Sequence, residues 1–293
     1  MIILKMMGGM GNQMFQYAFG RYLAHKHQTE LKFDLSYLNE RPKDGNRVIR
    51  DFDLDIFKIK GSFADPELVK AFVGRTGIPI ADKVLQKVLG PKKSHMIERD
   101  LHFLPDFFAA PDNVYLEGYF ASEKYFAPVK KMIAEEFTVK EPLGAKAASL
   151  LQEVQGRNSV CVNIRRGDFV TNPTHNICGL DYYAAAEKTM LEKGSDFHFY
   201  VFSDDVEWCK ENLQFSVPTT FVTHEYKGNK FQDYFRLMSS CQHFIIPNSS
   251  FAWWATYLNT KQDKIVIAPS RWLNMPGFTT DDILPASWMK ISV

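Results

Sequence analysis

Two rhythms of apolar residues alternate along this chain. Residues 2–6 form a nearly continuous apolar run, the mark of a short buried strand, and Phe15, Phe19 and Leu23, spaced by four, give residues 13–27 one apolar helical face. Residues 7–12 between them are a glycine-rich turn, and residues 30–33 read as a second strand. Strand, turn, helix and strand in that order predict a largely parallel sheet covered by helices. Over residues 36–112 the rhythm fails, because charges crowd in and Pro42, Gly61, Gly77 and Pro91 interrupt it; loops and short helices are expected there. It returns with a strand at 115–120 and helices at 122–137 and 142–155, the second closing at Gly156.

Beyond Gly156 the alternation is cleaner. Strands are predicted at 159–165, 198–203, 220–223, 243–247 and 264–268, and helices between them at 180–192, 206–212, 231–240 and 250–258. This restart divides the chain into two β/α domains, residues 1–156 and 157–293. No repeat, low-complexity tract or run of like charge marks the boundary further.

Composition narrows the function. With 45% hydrophobic and 14% aromatic residues, a chain of 293 residues can bury a sizeable core. Its 35 Lys plus Arg against 34 Asp plus Glu leave a net charge of +1, without the basic excess of a nucleic-acid binder. Cys161, Cys178, Cys209 and Cys241 are scattered, which suggests neither a zinc motif nor a disulfide framework and fits a reducing cytoplasm. Residues 1–7 are too short for a signal core or a membrane helix, so no transmembrane segment is expected, while peripheral membrane contact stays open.

Four strand ends carry chemistry. Gly8-Gly9-Met10-Gly11-Asn12-Gln13 sits between a strand and a helix, where glycines let a ligand approach the backbone and the helix offers unpaired N–H groups. As a dinucleotide fingerprint, with Asp34 as the ribose acid, it lacks the third glycine, whose place Met14 takes. Val162-Asn163-Ile164-Arg165-Arg166-Gly167-Asp168 ends a buried strand in charges that need partners. An arginine fork suits phosphate oxygens, and Arg166 can alternatively pair with Asp168. Asp204-Asp205 after the next strand can accept bonds from a base or ribose, and Asn248-Ser249-Ser250-Phe251 opens a helix whose start can donate to phosphate. Asp205 and Ser249 read equally as ordinary helix caps. Phosphate-compatible groups at three strand ends of one domain point to a nucleotide diphosphate crevice. Asp51, Asp53 and Asp55 are explained by the solvated face of an alternating strand, so no metal site is expected, and Trp253-Trp254 read as helix packing.

Together these blocks, with Gly118-Tyr119-Phe120-Ala121-Ser122-Glu123-Lys124-Tyr125-Phe126, resemble bacterial α-1,2-fucosyltransferases of glycosyltransferase family 11. The blocks run in the family's order across nearly the whole chain. The resemblance implies a GT-B-like α/β fold of two Rossmann-type domains facing a central cleft, the first on the acceptor side and the second binding the GDP-sugar. It implies GDP-fucose as co-substrate, no separate cofactor, and inverting transfer to a galactose-terminated oligosaccharide or glycolipid. It also implies site roles: Arg165 at the donor β-phosphate with Arg166 and Asp168 shaping its loop, Asp204 or Asp205 at guanine, and Ser249, Ser250 and Phe251 lining pyrophosphate and fucose. Gly9, Gly11, Asn163 and Asn248 join the donor site, and Asn12 faces the reacting centre. The family usually has His where this chain has Asn163, and Tyr where it has Phe169. Asp168, Glu123 and His175 are the candidates for general base. The competing classes are a nicotinamide oxidoreductase and a nucleotide-sugar or glycan-binding protein without turnover.

Overall fold

The computed structural model describes residues 1–40, 50–74, 78–89 and 92–293. Pro42, Gly77 and Pro91, expected as breaks, lie outside that range. The chain divides into two compact units, Met1–Lys140 and Glu141–Val293. The expected boundary after residue 156 therefore moves forward. The helix Ala145–Gln155 belongs to the second unit, where Gly144 donates to the Asp233 carboxylate (3.2 Å) and Lys146 pairs with Glu225 (2.6 Å).

The first unit has five strands, β1 (Ile2–Lys5), β2 (Leu31–Asp34), β3 (Ser62–Phe63), β4 (His95–Ile97) and β5 (Val114–Glu117). They form a wholly parallel sheet in the order β3-β2-β1-β5-β4. Helix α1 (Met10–His27) crosses this sheet so closely that a Cβ on Gly20 would lie 2.5 Å from the Leu4 side chain. The irregular stretch holds α2 (Ser36–Asn39), α3 (Pro66–Val73) and α4 (Pro79–Leu89), and also β3 and β4, strands too short for a visible period. Asp51, Asp53 and Asp55 lie in no strand; a single 3-10 turn covers Leu54–Ile56 instead. The helix expected at 122–137 is broken into 3-10 turns ahead of α5 (Lys130–Glu136), because Pro128 cannot donate to a preceding turn.

The second unit contains α6 (Ala145–Gln155), α7 (Leu180–Leu191), α8 (Val206–Asn212), α9 (Gln232–Ser240) and α10 (Ser250–Leu258). Its six strands, β6 (Asn158–Ile164), β7 (Phe197–Ser203), β8 (Thr219–Val222), β9 (His243–Ile245), β10 (Val266–Pro269) and β11 (Met289–Ile291), are all parallel. The order β11-β10-β9-β6-β7-β8 is that of a doubly wound Rossmann sheet, with the winding reversed between β6 and β9. β6 is buried over six of its seven residues, as an interior strand covered on both faces must be. Trp253 and Trp254 are fully buried, with the Trp253 indole donating to Ile283 O (2.8 Å). Two Rossmann-type units in one chain make the fold GT-B-like. Among the described residues no helix is long and apolar enough to cross a membrane.

Candidate active site

In open parallel sheets ligands bind beyond the strand carboxyl ends, where the winding reverses. In the second unit that point brings the loop after β6 beside the loop after β9. Ile164 ends β6, and Arg165 follows with its guanidinium between two carboxylates, pairing with Asp168 and, at 2.8 Å, with Asp204. Arg165 keeps 26% of its side chain exposed, enough for a ligand to reach the fork. A Cβ on Gly167 would meet the Asp204 carboxylate at 2.4 Å, so a side chain there would displace the group that pairs with Arg165.

Arg166 turns the other way. Its backbone N–H donates to Asp204 (2.9 Å), its Nε pairs with Asp205 (3.0 Å), and its guanidinium lies 3.5 Å over the Trp208 ring. The alternative pairing of Arg166 with Asp168 is thus replaced by Arg165 with Asp168. Asp205 also caps α8 by accepting from Trp208 N (3.3 Å). Each of the four oxygens of Asp204 and Asp205 accepts one protein donor, so the pair holds the two arginines in place. Phe169 lies 5.4 Å from the Arg165 guanidinium and stacks on His175 (4.9 Å). Burial lowers the His175 pKa, against a pull from Asp168 and with a smaller push from the Arg165 charge.

Across the reversal, Ser249 caps α10 through Ala252 N (3.5 Å), and Ser250 and Phe251 form its first turn. The first-turn N–H groups of this nine-residue helix face the carboxyl edge. Phe251 packs on Phe235 (5.5 Å). Asn248 is committed elsewhere: its amide donates to His175 O (3.0 Å) and Trp272 O (2.9 Å), tying two loops to the end of β9. Asn163 is buried and donates to Phe202 O (3.1 Å), its register partner on β7. Tyr183 Oη donates to the Asn163 backbone carbonyl (3.1 Å), so the groups these contacts do not use are one amide N–H and Oδ1.

The carboxyl edge of the first unit is built differently. Gly8 has φ +73°, and a Cβ there would lie 2.6 Å from the Asn12 amide, so Asn12 packs on the turn that Gly8 makes. Gly9 caps α1 and Gly11 is buried in its first turn. Gln13 donates to Gly8 O (2.9 Å) and Asp51 O (2.8 Å) and accepts from Asp53 N (2.9 Å). Gln16 accepts from Met7 N (3.0 Å) and donates to Gly118 O (3.0 Å), joining the loops after β1 and β5 where this sheet reverses. Asp34 is taken by Tyr115 Oη (2.6 Å) and Ser36, which leaves no ribose acid for a dinucleotide. Glu123 starts a 3-10 turn capped by Ser122.

Glu98, just beyond β4, carried no sequence signal because its neighbourhood has no period. It accepts from Tyr119 N (2.8 Å), Phe120 N (2.7 Å) and Tyr125 Oη (3.1 Å), which holds Phe120 at φ +50°. Burial outweighs these donors and pushes its carboxyl up to about 7. Among the described residues no group of three or more His, Cys, Asp or Glu side chains is placed to hold a metal ion.

Comparison with known proteins agrees with the block pattern. The family model described as glycosyl transferase family 11 matches residues 1–292. An α-1,2-colitosyltransferase of Escherichia coli is 30% identical over 99% of this chain and 98% of its own length. The galactoside α-(1,2)-fucosyltransferase 1 of Homo sapiens is 28% identical, over 49% of this chain and 42% of its own. Among solved structures, the α-1,6-fucosyltransferase NodZ co-crystallised with GDP has a TM-score of 0.49 and 13% identity, over 87% of this chain and 91% of that one.

Proposed function

This chain belongs to glycosyl transferase family 11, and we propose that this sugar-transferring enzyme moves L-fucose from GDP-fucose to the 2-hydroxyl of a terminal galactoside, with inversion and without a divalent metal. The observation that carries the reading is the partly exposed side chain of Arg165 at the winding reversal of the second sheet, held between Asp168 and Asp204. The acceptor hydroxyl oxygen bonds to the anomeric carbon as the bond to the diphosphate breaks; the electron pair leaves with the β-phosphate, and the hydroxyl proton passes to a base, for which Asp168, Glu123 and His175 are the candidates. Arg165 donates to that growing charge, and the first-turn N–H groups of α10 add a partial positive charge. The two carboxylates orient the guanidinium before substrate arrives, so little reorganisation is needed when the charge develops. Arg166, anchored to Asp205 and Trp208, fixes the loop that carries Arg165.

A second donor follows from the Escherichia coli relative. Colitose is fucose without one ring hydroxyl, so a site for either sugar uses the same diphosphate machinery. Incubation with GDP-fucose or GDP-colitose and a panel of β-galactosides, with linkage read by NMR, tests both. An α-1,2-fucosylated product formed equally well after EDTA treatment is expected. Product from GDP-colitose alone would change the donor, a metal requirement restored by Mn²⁺ would remove the metal-free mechanism, and nucleotide binding without turnover would leave a sugar-nucleotide binding protein.

A further inference from the structure

Helix α4 leaves an apolar stripe in solvent. Ile80, Val84 and Val88 are 79%, 57% and 72% exposed, and Ile78 just before the helix is 61% exposed. Four-residue spacing puts the three helical positions within an arc of about 80°, over about 12 Å of axis. Lys83 and Lys87 are exposed and border the stripe on one side, and exposed Lys93 follows the helix. The sole acid of the helix, Asp82, is turned inward, its carboxylate 2.9 Å from where a Cβ on Gly74 would stand. The outer face is therefore aliphatic with a cationic margin and no exposed acid within the helix.

We propose that this face of α4 docks on the surface of an anionic phospholipid bilayer. Ile80, Val84 and Val88 enter the boundary between headgroups and acyl chains, while Lys83 and Lys87 keep their ammonium groups at the lipid phosphates. Charge decides between this occupant and a second copy of the chain, because an antiparallel two-fold contact through the stripe sets lysines against lysines with no exposed acid on the helix to answer them. A lipid phosphate layer supplies the missing negative charge. The docking is independent of which sugar is transferred.

Flotation of the full chain with vesicles tests it. The chain is expected to float with vesicles of phosphatidylglycerol and phosphatidylcholine in equal parts, weakly or not at all with phosphatidylcholine alone, and less as salt rises. The triple variant Ile80→Ser/Val84→Ser/Val88→Ser should lose partitioning at least about tenfold, and Lys83→Glu/Lys87→Glu on the order of tenfold, both with unchanged circular dichroism. Should the triple variant not fold, Ile80→Ser alone at the most exposed position is expected to weaken flotation about threefold. Absence of flotation, flotation unchanged in these variants, or a dimer in sedimentation velocity that the serines convert to monomer would each overturn the proposal, the last by making the stripe a self-contact.

Discussion

The two units solve one topological problem with different chemistry. Each has a parallel sheet whose winding reverses beside its first strand, and in each the loops at that reversal must be held in place. The first unit does this with neutral groups: Gln13 and Gln16, buried on successive turns of α1, bind backbone of the loops around them. The second uses charge, with Arg165 and Arg166 spread over Asp168, Asp204 and Asp205. A neutral amide network is satisfied within the protein and gains nothing from a ligand. An ionic cluster that is one-quarter exposed can share its arginine with an arriving diphosphate. On the proposed function, the difference separates an edge built for shape from an edge built to receive the donor diphosphate.

The sharpest way to break that distinction is Arg165→Ala. Turnover should fall roughly a hundredfold to a thousandfold, about 3–4 kcal/mol of transition-state stabilisation, with the fold retained. Arg165→Lys should recover little, since an ammonium has no fork. Steady-state kinetics with GDP-fucose decide this, and a folded Arg165→Ala protein of wild-type turnover would remove the arginine from the mechanism. Gln16→Ala is the counterpart in the first unit. It strands a buried N–H at Met7 and a buried carbonyl at Gly118 and should cost about 2–4 kcal/mol in urea denaturation. A loss of activity with full stability would reverse the roles assigned to the two edges.

Asn163→Ala should be milder, lowering stability by about 1 kcal/mol through the lost bond to Phe202 O. We expect kcat/KM to fall within about tenfold, and Asn163→His to keep turnover. A thousandfold loss in Asn163→Ala would place this amide at the reacting centre. The last prediction concerns Glu98. Its folded pKa, about 7, lies above the ordinary 4.5, so the folded protein holds a proton that the unfolded chain releases. Stability from this group is complete below about 4.5 and is lost as pH rises towards about 7. Glu98→Gln should flatten the unfolding free energy across that window, and an unchanged slope would show that burial does not govern this carboxyl.

Much of the second unit was legible along the chain, because its apolar runs, seven-residue strands in β6 and β7, alternate with helices. The predicted helix at 206–212 and that at 250–258 coincide with α8 and α10. β3 and β4 were not legible: two and three residues are too few to display a period, and β3 is wholly exposed. β11 was missed for the same reason of length. At the site, residue types announced that Arg165, Arg166, Asp168, Asp204 and Asp205 needed partners. Which arginine took which carboxylate was invisible, since alternation along an extended strand does not describe the turn that begins at Arg165.

The amino-acid order by itself determined the parallel α/β class, the glycine turn at Gly8 and the charged strand end after Ile164, because these rest on local periodicity and on the cost of burying unpaired charge. Only the tertiary structure decided the pairing of Arg165 with Asp168 and Asp204, the stacking of Arg166 on Trp208, the engagement of Asp34 by Tyr115, and the place of Glu98. Apart from the short-range bond to Asp168, each of these joins residues carried by different strands or helices, so its distance is set by strand order and register, which no local pattern encodes.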